Sequence, residues 1–152
     1  MDFPGVRVAI KASFREQIQR NSVALISLFV AVSSLSYNTW RNELSESNRN
    51  QRVSSFEILL KLGELQELVF HNHYDRDAEN KGNPRTGWAL VLTIRDLSAV
   101  LESPVPGSSK ELVAVWGSNW SRLGDSKESA DAILSGIEKV RADTLALLGD
   151  LD

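Results

Sequence analysis

The sequence predicts an all-α protein with a single N-terminal transmembrane helix, a helical stalk and a small bundle of about four helices. Two observations indicate this fold class. An uncharged apolar stretch of membrane-spanning length lies near the N-terminus, and apolar residues recur at helical spacing through the rest of the chain. The one short alternating pattern that could form a strand is Val6–Ile10. The predicted divisions are a lead over residues 1–20, the transmembrane helix over 21–40, the stalk over 41–52 and the bundle over 53–149.

Composition and charge exclude several classes of function. The 152 residues are 42% hydrophobic and 24% charged, and their formal net charge of -3 does not fit a protein that neutralises the phosphates of a nucleic acid. The chain has no cysteine, which excludes disulfide bonds, thiolate zinc sites and thiol nucleophiles. His71 and His73 are its two imidazoles. Any histidine-dependent catalysis or metal binding must therefore use that one segment.

The predicted transmembrane helix covers Asn21–Trp40, which contains no charged residue. Its centre, Val23–Val32, is apolar except for Ser27. At a rise of about 1.5 Å per residue, about 20 helical residues span roughly 30 Å, the thickness of the hydrocarbon core of a bilayer. Charged and aromatic residues at its ends are expected to anchor it at the membrane surfaces. These anchors are Arg20, Tyr37, Trp40 and Arg41.

Two alternatives to a retained anchor stay open. Serines shorten the strongly apolar centre to about 13 residues, a length that also occurs in signal peptides and in buried helices of soluble proteins. The segment Ser34–Ser36 would be the cleavage site of a signal peptide, although it matches that pattern poorly. Four basic residues precede the span and three follow it closely, which favours a cytoplasmic N-terminus and a bundle outside the cytoplasm.

Small residues lie at intervals of three and four along the predicted span, at Ala24, Ser27, Ala31 and Ser34. They form one stripe, and such stripes allow two membrane helices to approach closely. The stripe predicts a homodimer contact through the membrane helix. The alternative is a single span whose serines bond to their own backbone.

A capping box of Ser13 and Glu16 predicts that the first helix begins near Phe14. The stalk residues 41–51 are polar on every face and contain no glycine or proline, so the helix is expected to continue through them.

Two strings of this sequence, Tyr37–Glu43 (YNTWRNE) and Gly82–Trp88 (GNPRTGW), resemble a group of small bacterial single-pass membrane-anchored helical proteins. The resemblance extends over most of the chain from Phe14 onward. It implies a bacterial inner membrane and a retained anchor. The group has no known activity, so the resemblance implies no catalytic residue.

Four amphipathic segments predict the bundle. Val53–Phe70 has a wide apolar face, and Asn83 followed by Pro84 predicts the start of a helix over about 85–102. Ser108 and Glu111 predict a capping box for a third helix that reaches about Leu123 and ends at Gly124. Asp125 is expected to cap the fourth helix, which Gly149 ends. The residues expected to face inward are Phe56, Ile58, Leu59, Leu60, Leu62, Leu65, Leu68 and Val69 in the first helix, Trp88, Val91, Ile94, Leu97 and Leu101 in the second, Leu112, Val115, Trp116 and Trp120 in the third, and Ala130, Ile133, Ile137, Val140, Thr144 and Leu147 in the fourth.

The densest group of ligand-type side chains is His71, His73, Asp75 and Asp77. If the helix continues through them, His71 with Asp75 and His73 with Asp77 lie one turn apart, where imidazole and carboxylate could bind Zn²⁺ or another divalent ion. The structural interpretation is favoured, because histidine suits the last turn of a helix and aspartate suits the turn that follows it.

Two further features have a functional and a structural interpretation. Trp88, Trp116 and Trp120 could line an aromatic ligand pocket, but aromatic residues at helical spacing in a small bundle are typical of the core. Arg85 and Thr86, at a helix start, could bind an anion, although this segment lacks a glycine-rich phosphate loop.

These observations predict a non-enzymatic interaction or sensory module held at a membrane. Its partners are the lipid bilayer, an unidentified protein and a second copy, with no cofactor and no nucleic acid. The alternative is a small metal-binding sensor or hydrolase centred on His71–Asp77. A pore is disfavoured because a single span without charged residues offers no conduction path.

Overall fold

A computed structural model describes residues 19–151, and within them the fold is all-α. Helix α1 covers Ser22–His73, α2 covers Pro84–Ser98, α3 covers Val105–Asn119 and α4 covers Lys127–Asp150. A short 3₁₀ helix, Trp120–Arg122, follows α3. The chain divides into two units, Met1–Leu44 and Ser45–Asp152, and α1 contributes residues to both. The predicted helix start near Phe14 and the pattern at Val6–Ile10 lie outside the described residues.

Helix α1 is 52 residues long because its sequence contains no proline and no glycine before Gly63. The segments predicted as span, stalk and first bundle helix are therefore all helical. The helix ends where the N–H groups of Tyr74 and Asp75 both bond to the carbonyl of Phe70. Arg76 then has a φ of 58°, in the left-handed region, and this turns the chain away from the helix axis.

The α1 part of the core is narrower than the apolar face predicted from the sequence. Ile58, Leu62, Leu65, Leu68 and Val69 are buried and Leu59 is half-buried, as expected. The prediction was wrong for Phe56 and Leu60, whose side chains are 59% and 63% exposed. Both residues are two positions from Ile58, and a step of two residues turns a helix by about 200°. They therefore lie on the side of α1 opposite the core.

Helix α2 begins as predicted. The side chain of Asn83 accepts a hydrogen bond from the N–H of Arg85, and Pro84 occupies the first turn. The helix ends at Ser98, earlier than the predicted residue 102, and the N–H of Leu101 then bonds to the carbonyl of Ser98. The residues predicted to face inward are buried at Val91, Ile94 and Leu101 and half-buried at Trp88 and Leu97.

The predicted capping box of α3 was wrong. The helix begins at Val105, so Ser108 lies inside it, buried, and donates a hydrogen bond to the carbonyl of Val105. Glu111 forms an ion pair with Lys139 of α4 instead of capping its own helix. A proline in the first turn lets the helix begin without a side-chain cap, since proline has no N–H to satisfy there. Leu112 and Trp116 are buried as predicted, and Val115 and Trp120 are half-buried.

Helix α4 is capped by Ser126, one residue after the predicted Asp125. Its hydroxyl accepts a hydrogen bond from the N–H of Ser129 at 3.1 Å. Gly149 does not end the helix, which continues to Asp150, and no described glycine has a positive φ. The inward positions predicted for this helix are confirmed, since all six are buried: Ala130, Ile133, Ile137, Val140, Thr144 and Leu147.

The four bundle segments share one apolar core, and polar contacts tie their surfaces together. The guanidinium of Arg141 in α4 donates to the side-chain oxygen of Gln66 in α1 at 2.7 Å. At the other end of the helix pair, Arg52 donates to the carbonyl of Leu151 at 2.5 Å. These two contacts tie the C-terminal part of α1 to the C-terminal half of α4 and the residue that follows it.

Candidate functional site

The N-terminal part of α1 presents an apolar surface with nothing packed on it among the described residues. One 18-residue window of the helix has a mean hydropathy of 1.4, and none of that window is buried. The helix is long and apolar enough to cross a membrane by length and composition. The exposed large side chains of this stretch are Val23, Leu25, Ile26, Leu28, Phe29, Val30, Val32, Leu35, Tyr37 and Trp40.

The predicted anchor residues and the predicted dimer stripe lie on this part of α1. The rings of Tyr37 and Trp40 are 6.2 Å apart, so two amphipathic aromatic side chains adjoin one another at the C-terminal end of the apolar stretch. Arg20 and Arg41 are exposed at its two ends. The small residues of the stripe, Ala24, Ser27, Ala31 and Ser34, are also all exposed.

His71, in the last turn of α1, lies between two carboxylates. Its Nδ1 is 2.7 Å from Oδ2 of Asp75, and its Nε2 is 3.3 Å from Oε1 of Glu67. The hydrogen bond with Asp75 is the main cause that raises the pKa of His71 above 6.5, and the bond with Glu67 adds to it. The arrangement favours an imidazolium that bridges two acids.

His73 and Asp77 serve other parts of the fold. Nδ1 of His73 is 2.8 Å from the carbonyl oxygen of Leu123, which ties the end of α1 to the turn before α4. Asp77 accepts hydrogen bonds from the backbone and side chain of Asn80 and from the N–H of Lys81, and these bonds lower its pKa. The carboxylate thereby closes the turn that leads to α2.

The four candidate ligands therefore do not converge. Within residues 19–151, no group of three or more histidine, aspartate or glutamate side chains is arranged to hold a metal ion. His71 has both ring nitrogens directed at carboxylates of its own helix and the following turn, whereas His73 is directed at a backbone carbonyl. The one-turn pairing of His71 with Asp75 is present as predicted, but it forms a hydrogen-bonded pair.

Asn72 is an important residue of this segment that the sequence interpretation missed. It is 3% exposed, and its Nδ2 donates to the carbonyl of Gly82 at 2.7 Å. Gly82 fits closely against it, since a Cβ there would overlap the backbone N and Cα of Asn72. The signal was present in the spacing, because Asn72 continues the buried series of Leu65 and Val69 at helical intervals. Asn72 thus holds the loop 74–83 against the end of α1.

A shallow cavity of about 280 Å³ adjoins His71. Its two carboxylates already have partners of opposite charge: Glu64 is 2.8 Å from Nζ of Lys61, and Glu67 contacts His71. Beside Lys81, the cavity thus offers two paired acids and a modest apolar wall. Its lining residues are Glu64, Glu67, Leu68, His71, Lys81, Thr86 and Leu90.

The tryptophans divide between core and surface. Trp116 is fully buried, whereas Trp88 and Trp120 are half-buried and lie edge to face with ring centroids 6.5 Å apart. An aromatic ligand pocket would need the three rings to line a shared cavity, and Trp116 is instead enclosed by the core. At the start of α2, Arg85 and Thr86 are exposed. The side chain of Asn83 already accepts a hydrogen bond from the backbone N–H of Arg85, which is the group that an anion would use.

Comparison of the chain with protein-family models, curated proteins and solved structures finds no match. Two features of the described residues therefore bear on function. One is the exposed apolar stretch of α1, and the other is the surface of the helical unit 45–151.

Proposed function

We propose that this chain is a single-pass membrane protein whose helical unit binds another protein without catalysing a reaction. One observation carries the proposal: the apolar window of α1 is entirely exposed. A core helix of a soluble protein passes the same test of length and composition, but its apolar window is buried by the rest of the fold. Exposure of this window supports a retained or signal-type membrane helix over a soluble core helix.

The energetics of the exposed stretch support insertion into lipid. Full burial of one Val, Leu, Ile or Phe side chain is worth about 1.5–3 kcal/mol, so burial of the residues between Val23 and Leu35 is worth on the order of 10 kcal/mol or more. Arg20 and Arg41 flank the stretch, and neither lies within it. Lipid is thus the partner that this surface fits best.

We place the protein in a bacterial inner membrane with the bundle outside the cytoplasm. The excess of basic residues before the span supports this orientation, and the resemblance of Tyr37–Glu43 and Gly82–Trp88 to small bacterial anchored proteins supports the membrane. The stripe of Ala24, Ser27, Ala31 and Ser34 makes a second copy a candidate partner within the bilayer.

A binding role is favoured over the metal-sensor or hydrolase alternative. The side chains of His71, His73 and Asp77 are engaged in three different local contacts of the described fold, so a metal ion or a reacting water would have to displace them. Nucleophilic catalysis of the Ser-His-Asp type needs a nucleophile and an orienting acid around one imidazole. Around His71, the partners are two carboxylates, which orient it without supplying a nucleophile such as a hydroxyl.

Single cysteines test the anchor and its orientation, because the native chain has no thiol. We expect a membrane-impermeant maleimide to label Asn50→Cys on intact spheroplasts and Ala12→Cys after the membrane is broken. Val30→Cys should react in neither case, since it would lie in lipid, and should react once detergent denatures the chain. Labelling of Val30→Cys as fast as Asn50→Cys in native membranes would contradict the anchor.

The two remaining outcomes of this experiment have distinct meanings. Labelling of Ala12→Cys on intact spheroplasts with protection of Asn50→Cys would reverse the orientation and keep the anchor. A mature chain whose mass shows that it begins after Ser36 would establish a cleaved signal peptide and overturn the retained anchor.

A further inference from the structure

The solvent-facing side of α1 in the helical unit is unusually apolar. Seven large hydrophobic side chains are exposed in residues 45–151. Four of them lie on this one side of α1, at Val53, Phe56, Leu60 and Phe70, and a fifth, Tyr74, follows in the turn that directly continues the helix. The outer side of a helix that packs on a core ordinarily carries charged and polar residues. The other two exposed hydrophobic side chains, Val100 and Leu145, lie on separate segments.

These five residues follow a seven-residue repeat. With Gly63 and Glu67, which are also exposed, they lie at positions 53, 56, 60, 63, 67, 70 and 74, separated alternately by three and four residues. This is the a and d spacing with which one helix packs along another. We call this surface the 53–74 stripe. A Cβ atom added at Gly63 would meet no heavy atom within 4 Å, so a partner helix can approach closely there.

We infer that the 53–74 stripe binds the same stripe of a second copy in a parallel helix pair. This deepens the proposed function by naming its partner, and it rests on that function for the orientation of the pair. Two copies anchored in one membrane have the same orientation, and anchoring raises the concentration of each copy near the other. A second copy also supplies the matching seven-residue repeat, which an unrelated surface would not.

The area of the stripe is sufficient for such a pair. An aromatic side chain buries about 150–250 Å², so three aromatic and two aliphatic side chains, each about half exposed, give roughly 500 Å² per copy. A pair would bury about 1,000 Å² in total, which is near the lower limit for a specific interface. The rings of Phe70 and Tyr74 are 5.9 Å apart and present one continuous aromatic surface at the C-terminal end of the stripe.

Glu67 limits the strength of the pair. It occupies an a position, where a parallel arrangement brings the two Glu67 side chains together. Each carboxylate lies beside the His71 of its own chain, which offsets part of the repulsion. We expect Glu67→Leu to strengthen the pair, since it removes the charge and completes the apolar repeat.

Disulfide crosslinking of the full chain in lipid vesicles tests the inference. Gly63→Cys introduces a thiol at a d position without removing an apolar side chain, and Ser135→Cys on the exposed side of α4 is the matched control. We expect oxidation to give a disulfide dimer from Gly63→Cys and little from Ser135→Cys. Equal yields from the two positions would overturn the inference.

A second substitution in the Gly63→Cys chain separates a specific contact from random collision. Leu60→Glu should lower the crosslinking yield at least about tenfold, since a buried unpaired carboxylate costs more than the ~1.4 kcal/mol that tenfold represents. Leu145→Glu, the same change at an exposed leucine of α4, should leave the yield unchanged. Glu67→Leu should raise it. Because Leu60 and Leu145 are exposed, circular dichroism should show both glutamate variants folded.

The remaining outcomes identify other occupants. If two copies pair, dilution of the protein in excess lipid should expose Gly63→Cys to a water-soluble maleimide. If the stripe instead lies on lipid, Gly63→Cys should stay protected after dilution, and this result would overturn the pair. Loss of crosslinking in Ser27→Leu/Ala31→Leu with no effect of Leu60→Glu would move the contact into the membrane and overturn the stripe. Alkaline extraction of the same vesicles reports separately on the anchor, so failure of the pair and failure of the proposed function are distinguishable.

Discussion

Gly87 lies directly against the indole of Trp116, so closely that a Cβ atom at residue 87 would overlap Cζ2 and Cη2 of the ring. Trp116 is the largest fully buried side chain of the described residues. The contact joins the first turn of α2 to the last turn of α3. The core of the helical unit is thus built around a tryptophan that only a glycine can face at this point.

We expect Gly87→Ala to destabilise the helical unit by about 1–3 kcal/mol, because the added methyl group forces the indole or the backbone of α2 to move. Thermal unfolding followed by circular dichroism measures the change. Gly107→Ala is the matched control, since a Cβ at that position meets nothing within 4 Å. Equal melting temperatures for the two variants would contradict the close packing of Gly87 on Trp116.

The side chain of Asn72 should be essential for the loop 74–83. Asn72→Ala leaves the buried carbonyl of Gly82 without its donor, and we expect a cost of about 1–3 kcal/mol together with faster proteolysis of the loop. Asn80→Ala removes an exposed amide that contacts Asp77 and should cost less. Similar proteolysis rates for Asn72→Ala and the native chain would show that the loop is held in another way.

The pH dependence of stability should include a contribution from His71. Asp75, and next Glu67, hold its pKa in the folded chain above the value of about 6.5 expected for the unfolded chain. The folded state therefore binds the proton more tightly, and the stabilisation is complete below about pH 6.5 and lost as the pH rises through the folded pKa. Salt should weaken the effect, since both carboxylates are largely exposed.

Two measurements check this pH dependence. The His71 imidazole should titrate above about pH 6.5 by NMR, and Asp75→Asn should lower its pKa. His71→Gln should flatten the stability curve in the same range. Titration of His71 below about pH 6.5 in the native chain would contradict the bridging arrangement.

Metal titration tests the alternative function. Because His71, His73 and Asp77 make separate local contacts, we expect no stoichiometric binding of Zn²⁺, Ni²⁺ or Mn²⁺ to the full chain in detergent at about micromolar metal. Calorimetry provides the measurement, and His71→Gln provides the control. One-to-one binding of Zn²⁺ that this substitution removes would restore the metal-sensor hypothesis.

Local sequence periodicity was sufficient to predict the all-α fold and most of the core. The spacing of Ile133, Ile137 and Val140 leaves one face of α4 to bury, and that face is buried. Asn83 and Pro84 predict a helix start because their chemistry is local. Periodicity alone could not exclude Phe56 and Leu60 from the core, since apolar residues occur on opposite sides of this part of α1 and a helix enclosed by its bundle buries both sides.

Part of the candidate site depends on residues distant in sequence. His71 and His73 are close in sequence but meet different partners, and the partner of His73, Leu123, is known only from the fold. The capping box at Ser108 failed because Pro104 and Pro106 let the helix begin earlier, at Val105, and because Ser108 is buried in the bundle. Where a sequence motif is compatible with several local structures, the packing of the rest of the fold selects one of them.

Extraction of native membranes with alkaline carbonate tests the central claim, that α1 anchors this chain in a bilayer. We expect the intact native chain to remain in the membrane pellet, because its apolar stretch is buried in lipid and not held by surface charge. Ile26→Arg/Val30→Arg should release the chain, since each arginine at the centre of a span costs about 2.5–3.5 kcal/mol. Recovery of the intact native chain in the soluble fraction, with the same distribution as the arginine variant, would contradict the anchor.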